Sequence, residues 1–253
     1  MNNIPFFSVI TASFNSEKTI SKTIESLLNQ TYTNFEYIII DGDSKDSTLD
    51  IIKSFEPEFK EKNISYKFIS EPDRGIYDAW NKGIKLSEGG WISFLGSDDT
   101  YTHEALSLYN EAIILNDNVN FICSKIEIID KNRKVLKTYG EPFSKVKLSR
   151  KMSFAQVGAF HKKDLFCLVG DFDENYKIVG DFDFYLRAKE IIKPYFVPIC
   201  TAKMMNTGIS NQAYKALKEA YELKSKYKLN NKSINLFDFY FTLTKCKIKD
   251  ILK

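Results

Sequence analysis

The sequence predicts an α/β fold: a Rossmann-like, mostly parallel central sheet flanked by helices, with a helical extension at its C-terminal end. Three observations predict it. Short apolar runs alternate with amphipathic helical periodicity over the first hundred residues, so strand and helix follow one another across short connections. Each of the four apolar runs stops at a polar cluster, at 13–15 (Ser-Phe-Asn), 41–44 (Asp-Gly-Asp-Ser), 71–74 (Glu-Pro-Asp-Arg) and 97–99 (Ser-Asp-Asp). In a parallel sheet those ends share one edge, where α/β proteins bind their ligands.

The elements follow in order. Residues 6–11 form the first strand, and Ser16 is the candidate N-cap of a helix whose Ile20, Ile24, Leu27 and Leu28 make one apolar stripe. Residues 35–40 form the second strand. Asp46-Ser47-Thr48 opens the next helix, with Leu49, Ile51, Ile52 and Phe55 as its apolar residues. Residues 64–69 are a third strand leading to a helix that ends near Leu86, and 91–95 are the fourth. The second half is less regular. Residues 120–129 read as a strand with 135–139 as its hairpin partner, 145–151 are basic and polar, and 154–160 read as another strand. A helix starts near Phe184, close behind Asp181 and Asp183, and an N-cap role is open for either acid.

From Gln212 the chain reads as helical, with ten lysines against four acids and the strongly aromatic run Leu236-Phe237-Asp238-Phe239-Tyr240-Phe241. Two readings stand: peripheral contact with an anionic membrane, or a helix packed on its own domain with a solvated lysine face. The expected division is 1–210 as one domain, with 1–100 and 101–210 as its halves, and 211–253 as the extension.

Composition excludes other classes. At 253 residues, 43% apolar and 27% charged, the chain is an ordinary globular protein, and a net charge of +3 argues against a dedicated nucleic-acid binder. No signal peptide and no apolar run of membrane-spanning length is visible, so a cytoplasmic location is expected, with the inner face of the plasma membrane for the tail. Cys123, Cys167, Cys200 and Cys246 stand too far apart for a CxxC pair, and two histidines, His103 and His161, make a His-based metal site or a Ser-His-Asp triad hard to assemble. The first strand lacks GxGxxG, no P-loop occurs, and Lys45 spoils an EF-hand reading of Asp41-Gly42-Asp43.

Asp98 and Asp99 are the central clue. Two carboxylates at a strand exit require a cation, a set of donors or a raised pKa. In extended chain, neighbouring side chains point opposite ways, which predicts two different roles. Capping of the helix that starts near Thr102-His103-Glu104 is the alternative.

Taken together, Val9-Ile10-Thr11-Ala12-Ser13-Phe14-Asn15, Ile40-Asp41-Gly42-Asp43-Ser44-Lys45-Asp46-Ser47-Thr48, Ser70-Glu71-Pro72-Asp73-Arg74-Gly75-Ile76-Tyr77-Asp78-Ala79-Trp80-Asn81-Lys82-Gly83 and Gly96-Ser97-Asp98-Asp99 resemble the motifs of family 2 glycosyltransferases, and most resemble the bacterial branch that builds capsule, O-antigen and exopolysaccharide. The resemblance covers residues 6–100 closely and continues loosely to about 210. It implies a GT-A fold, a nucleoside-diphosphate sugar donor (usually UDP), Mn²⁺ or Mg²⁺, inversion at the anomeric carbon, and a glycan or lipid-linked acceptor. It implies Thr11, Ser13, Phe14, Asn15, Asp41, Arg74, Gly75, Asp78, Asn81, Ser97 and Asp98 on the nucleotide sugar, and Asp99 on the metal. Asp181 is implied as the catalytic base, with Gln156 and Asp183 on the acceptor side.

The chain departs from the family pattern at Gly180, where a glutamate is usual, at Ala155 for a histidine, and at Gly42 for a second aspartate. Gln-x-x-Arg-Trp, the mark of processive synthases, is absent, which favours transfer of a single sugar. A sugar-1-phosphate nucleotidyltransferase and a non-catalytic sugar- or membrane-binding relative are the competing readings.

Overall fold

The computed structural model describes residues 6–206 and 213–251. Along the chain run β1 (Phe7–Ser13), α1 (Ile20–Leu28), β2 (Phe35–Asp41), α2 (Thr48–Ser54), α3 (Glu56–Glu61), β3 (Ser65–Ser70), α4 (Ile76–Leu86), β4 (Trp91–Phe94) and β5 (Thr100–Tyr101). There follow α5 (Ala105–Ile114), β6 (Phe121–Ile129), β7 (Val135–Tyr139), α6 (Lys145–Leu148), β8 (Ala159–Lys162) and α7 (Asp164–Val169). Last come α8 (Gly180–Ala188), β9 (Pro194–Met205), α9 (Ala213–Lys226) and α10 (Lys232–Ile251).

Among the described residues one sheet runs β3-β2-β1-β4-β8-β6-β9-β5, with β7 beside β6. β1 pairs in parallel with β2 and β4, and β2 with β3, so the first four strand exits do share an edge. β8 is antiparallel to both β4 and β6, and β6 is parallel to β9. Side chains alternate across this sheet into two cores: Phe7, Val9, Tyr37 and Ile39 enter one, and Ile10, Ile38 and Ile40 the other. A sheet covered on both faces makes continuous apolar strands, which is why the sequence shows unbroken runs.

Three local expectations are corrected. Ser16 is not the N-cap of α1; Thr19 holds that position, and Ser16 contributes its carbonyl to the amides of Thr19 and Ile20. The strand expected at 154–160 begins only at Ala159, after a 3-10 turn at Gln156–Gly158. β9 is absent from the expected strands, because its prolines read as breaks. Pro198 lies in a register shift, where Ser124 pairs with Val197 and Lys125 with Cys200, so its missing amide costs the ladder little.

The start of the C-terminal extension at Gln212 lies outside the described residues, but α9 and α10 pack on the domain. Leu223 is fully buried in the second core. Tyr227 donates to Asp183 at 2.9 Å, and Asp238 pairs with both Arg150 and Lys224. Phe237 and Tyr240 remain exposed on α10, and no described helix is long and apolar enough to cross a membrane.

The opposite edge of the sheet is fixed by a buried acid. Glu36 accepts from Ser8 Oγ at 2.6 Å and from the amides of Glu88 and Gly89, and it pairs with Lys67 Nζ at 2.8 Å. Burial alone would raise its carboxyl, but Lys67 and the other donors outweigh burial and hold it below the usual carboxylate range. Its contribution is therefore complete above that range and disappears as pH falls through the folded value. Replacing Glu36 with Ala leaves buried donors unmatched, and the expected loss is about 3 kcal/mol in urea unfolding at pH 7. The loss should shrink towards pH 3.

Candidate active site

The site is built from the strand exits. After β4 the amide of Asp99 donates to the carbonyl of Gly96 at 3.1 Å and closes a tight turn. The chain is not extended there, so the two acids do not point apart as period-two geometry predicted. A Cβ placed on Gly96 would lie 3.2 Å from Asp98 Oδ1 and 2.7 Å from Asp99 Oδ2, so both carboxylates converge on the hollow this glycine leaves. Asp99 is buried and its Oδ1 accepts from the Met205 amide at 2.9 Å. Burial first, and then the charge of Asp98, push its carboxyl up to about 8. Neither acid caps α5, whose Leu106 amide is taken by Gln30 Oε1 at 3.0 Å.

The divalent ion implied by the family resemblance fits here. Two hard oxygens converge on one hollow, and burial together with the neighbouring acid holds the buried carboxyl well above the usual carboxylate range. Among the described residues no third His, Cys, Asp or Glu completes a cage. The remaining positions would fall to diphosphate and water oxygens, a common arrangement for Mg²⁺.

The first two exits form a shelf beside the acids. Thr11 is buried, its hydroxyl accepting from Tyr37 at 3.0 Å. Phe14 stands 62% exposed, an aromatic face open to a flat ligand. Asn15, at φ 47°, accepts from the Lys45 amide at 2.9 Å and donates its own amide to Ser44 Oγ at 2.8 Å. Asp41 is buried and supplied by the Ser44 amide and the hydroxyls of Ser44 and Ser70. At Gly42 a Cβ would meet Asp73 Oδ2 at 2.6 Å, so the space of the family's second aspartate is filled by the carboxylate of Asp73. Ser97 joins the fourth exit to the first through Ser16, Oγ to Oγ at 2.8 Å.

The third exit leads into α4. Gly75, at φ 124°, provides a turn that a side chain would strain. Asp78 accepts the Arg74 amide at 2.9 Å, and the exposed Arg74 guanidinium pairs with Glu174. Asn81 binds both the amide and the carbonyl of Phe172, each at 3.0 Å. Asp78 and Asn81, expected on the donor, thus hold the Arg74 loop and the 172–174 segment in place.

Asp181 is the second residue of α8, and Val179 occupies the N-cap. Its Oδ1 accepts from the Phe182 amide at 2.8 Å and lies 3.4 Å from the Tyr77 hydroxyl. Burial pushes its carboxyl up to about 6. Gly180 is required because a Cβ there would sit 2.8 Å from the Tyr77 ring. Asp183 is turned away, its oxygens taken by Arg187 at 2.8 Å and Tyr227 at 2.9 Å, so it holds α8 and α9 together rather than facing the cleft. Gln156 accepts from Tyr185 at 2.6 Å, and Tyr185 also contacts His161 at 2.7 Å. Among the described residues, Ser13 Oγ and Gln156 Nε2 are the buried side-chain polar atoms without a partner. Both belong to the expected site.

Sequence reasoning missed several contributors. Tyr77 stands in a recognised motif but was given no role of its own. Glu219 accepts the amides of Lys177, Ile178 and Val179 at 2.9–3.2 Å, just before Asp181. Arg133, from the turn between β6 and β7, donates to Thr100 Oγ1 at 2.9 Å, and its charge opposes the rise in the Asp99 pKa. No local pattern marks these residues, because each acts on a segment far away in the chain.

Comparison with known proteins follows the same lines. The model of glycosyl transferase family 2 matches residues 8–170. A PGL/p-HBAD biosynthesis glycosyltransferase of Mycobacterium bovis is 30% identical over 183 residues, covering 72% of this chain and 69% of that protein. The Escherichia coli UDP-Glc:alpha-D-GlcNAc-diphosphoundecaprenol beta-1,3-glucosyltransferase WfgD is 35% identical over 125 residues, covering 49% of this chain and 47% of that protein. Staphylococcus aureus TarS 1-349 in complex with UDP superposes with a TM-score of 0.68 at 20% identity, covering 94% of this chain and 70% of that one. The chain spans 42% of the longer TarS chain.

The Asp181 carboxyl has a stability consequence. Its folded pKa, about 6, lies above the ordinary carboxylate value, so the folded state loses stability as pH rises from about 4 through 6. Asp181→Asn removes the ionised form, and thermal unfolding at pH 7.5 should show a gain of about 3 kcal/mol that falls below about 1 kcal/mol at pH 4.

Proposed function

The chain belongs to glycosyl transferase family 2 and has its GT-A fold, and on that premise we propose that it moves one sugar, with inversion, from a UDP-sugar to a hydroxyl of a glycan or lipid-linked glycan. The observation that carries the proposal is Asp181: a carboxylate raised to about 6, ionised at neutral pH yet more basic than an ordinary one, lining a large cleft. The donor chemistry is supported by the UDP complex of TarS and by the UDP-glucose named for WfgD. Surface polysaccharide synthesis is the setting that the resemblance suggests. Family membership sets aside the nucleotidyltransferase alternative.

The chemistry distributes as follows. The open ring of Phe14 receives the base, and the unmatched hydroxyl of Ser13 is available to the nucleoside. Asp98 and Asp99 would hold Mn²⁺ or Mg²⁺, which supplies positive charge to the diphosphate as the sugar leaves. Arg74 adds a second cation at the third strand exit. On the other face Asp181 accepts the proton of the acceptor hydroxyl while that oxygen bonds to the anomeric carbon and the bond to the diphosphate breaks. The sugar inverts, UDP departs, and the proton remains on Asp181. Tyr77 and the Phe182 amide keep one carboxylate oxygen engaged, so the other faces the acceptor.

Three measurements test this. Asp181→Asn should lower kcat for UDP release about 10³-fold with the UDP dissociation constant within twofold of wild type; an active Asn variant would refute the assignment. The wild-type kcat/KM should rise with pH up to about 6 and then level, since the base must be ionised. Asp99→Ala should abolish the Mn²⁺-dependent part of UDP binding in calorimetry, and unchanged affinity would contradict the metal role.

A further inference from the structure

The turn between β6 and β7 brings a guanidinium to the acid pair. It reads Asp130-Lys131-Asn132-Arg133-Lys134 and stands at the same edge of the sheet as Asp99. β6 and β9 run parallel and end together where Ile129 pairs with Met205, and the Met205 amide is the one that Asp99 Oδ1 accepts at 2.9 Å. The Asn206 amide then closes onto the Ile129 carbonyl at 2.9 Å. We propose that Arg133 binds the diphosphate of the donor and meets the charge that gathers on its leaving oxygen. The proposal rests on the UDP-sugar reading and deepens it by naming a cation which that reading leaves out.

Geometry is the first argument. The turn is braced by Asp130, whose Oδ1 accepts the amides of Asn132 and Lys134, each at 2.9 Å, and whose carbonyl takes the Arg133 amide at 2.8 Å. Arg133 adopts φ 63°, a left-handed conformation for which arginine has no preference. Lys131, Asn132 and Lys134 are exposed, whereas Arg133 is half-buried. Its Nη2 donates to Thr100 Oγ1 at 2.9 Å, one residue past Asp99, and its charge reaches the Asp99 carboxyl. Of the cations in this turn, Arg133 is the one folded inward.

The second argument is charge. Asp98 and Asp99 together balance a divalent ion, which leaves the diphosphate's own charge to be met by other cations. Arg74 is 72% exposed and already shared between Glu174 and Asp78, the latter at 3.6 Å. Arg133 is held instead by a neutral hydroxyl, and its guanidinium has further N–H groups to turn towards a phosphate. When the bond between the anomeric carbon and the diphosphate breaks, its electron pair stays on the phosphate oxygen, where such a donor is most effective. The competing role for Arg133 is a strut that ties the hairpin to β5, and the two roles differ in which ligand they affect.

The test is calorimetry on the full chain in saturating Mn²⁺ with UDP and UMP as probes, since UDP alone carries the second phosphate. Arg133→Ala should weaken UDP by about 10-fold or more and leave UMP within about twofold of wild type, which also shows that the variant folds. Arg133→Lys keeps the charge without the planar fork and should recover part of the loss. Lys134→Ala removes an exposed cation of the same turn and should bind both nucleotides as wild type does. Equal weakening of UDP and UMP by Arg133→Ala would mark a strut and overturn the proposal. So would unchanged UDP binding, no recovery with lysine, or an equal loss from Lys134→Ala, which would reduce the effect to the field of the whole turn. A wild type that binds neither nucleotide would defeat the donor reading and this proposal with it. A wild type that prefers UDP, with Arg133→Ala unaffected, would defeat the Arg133 assignment alone.

Discussion

A carboxylate taken into the edge of a covered sheet must be compensated, and the structure depends on how each acid meets that demand. Glu36 meets it fully, with a lysine, a hydroxyl and two amides, and it serves to fix the far end of the strands. Asp41 is supplied by two serines and an amide and holds the second strand exit in shape. Asp99 has the amides of Met205 and Gly96 against a like-charged neighbour, and Asp181 has the Phe182 amide, its own amide and a distant hydroxyl. The well-supplied acids are struts. The less well supplied ones are raised to about 8 and about 6.

Around these acids the loops are tied to one another rather than left independent. Ser16 meets Ser97, Asn15 meets Ser44 and Lys45, and Gly42 admits Asp73. The segment around Asp181 is attached to the first half by α4 and by the Arg74 loop ahead of it. Tyr77 of α4 reaches the carbonyl of Ile178 and approaches Asp181, and Asn81 grips Phe172. A crossover helix between parallel strands thus positions Asp181 relative to the strand exits.

The first half was legible because its strands are buried on both faces and its exits are polar, two signals that lie within a few residues of each other. The second half was legible only in part: its β6–β7 hairpin was expected, but elsewhere its signals are nonlocal or cancelled. Pro194 and Pro198 hid β9, although Pro198 sits in a bulge where no amide is needed. The roles of Asp98 and Asp99 were read from an extended chain, whereas a single hydrogen bond from Asp99 to Gly96 folds the pair onto one hollow. Gly180 looks like a defect in the motif, yet the ring of Tyr77, from a distant helix, leaves room for nothing larger. Ser16 and Asp183 were given to a cap and to the acceptor on residue type alone, and tertiary partners decided otherwise.

Glu219 gives the C-terminal helices a weight that their composition hides. Its carboxylate gathers three successive amides immediately ahead of α8, so the peptide that carries Asp181 is anchored by a residue from the last sixth of the chain. Shortening the protein at the end of β9 would therefore do more than trim a charged appendage: it would cut the guy-rope that aims Asp181, and loss of turnover in such a shortened form would say nothing by itself about what the tail touches.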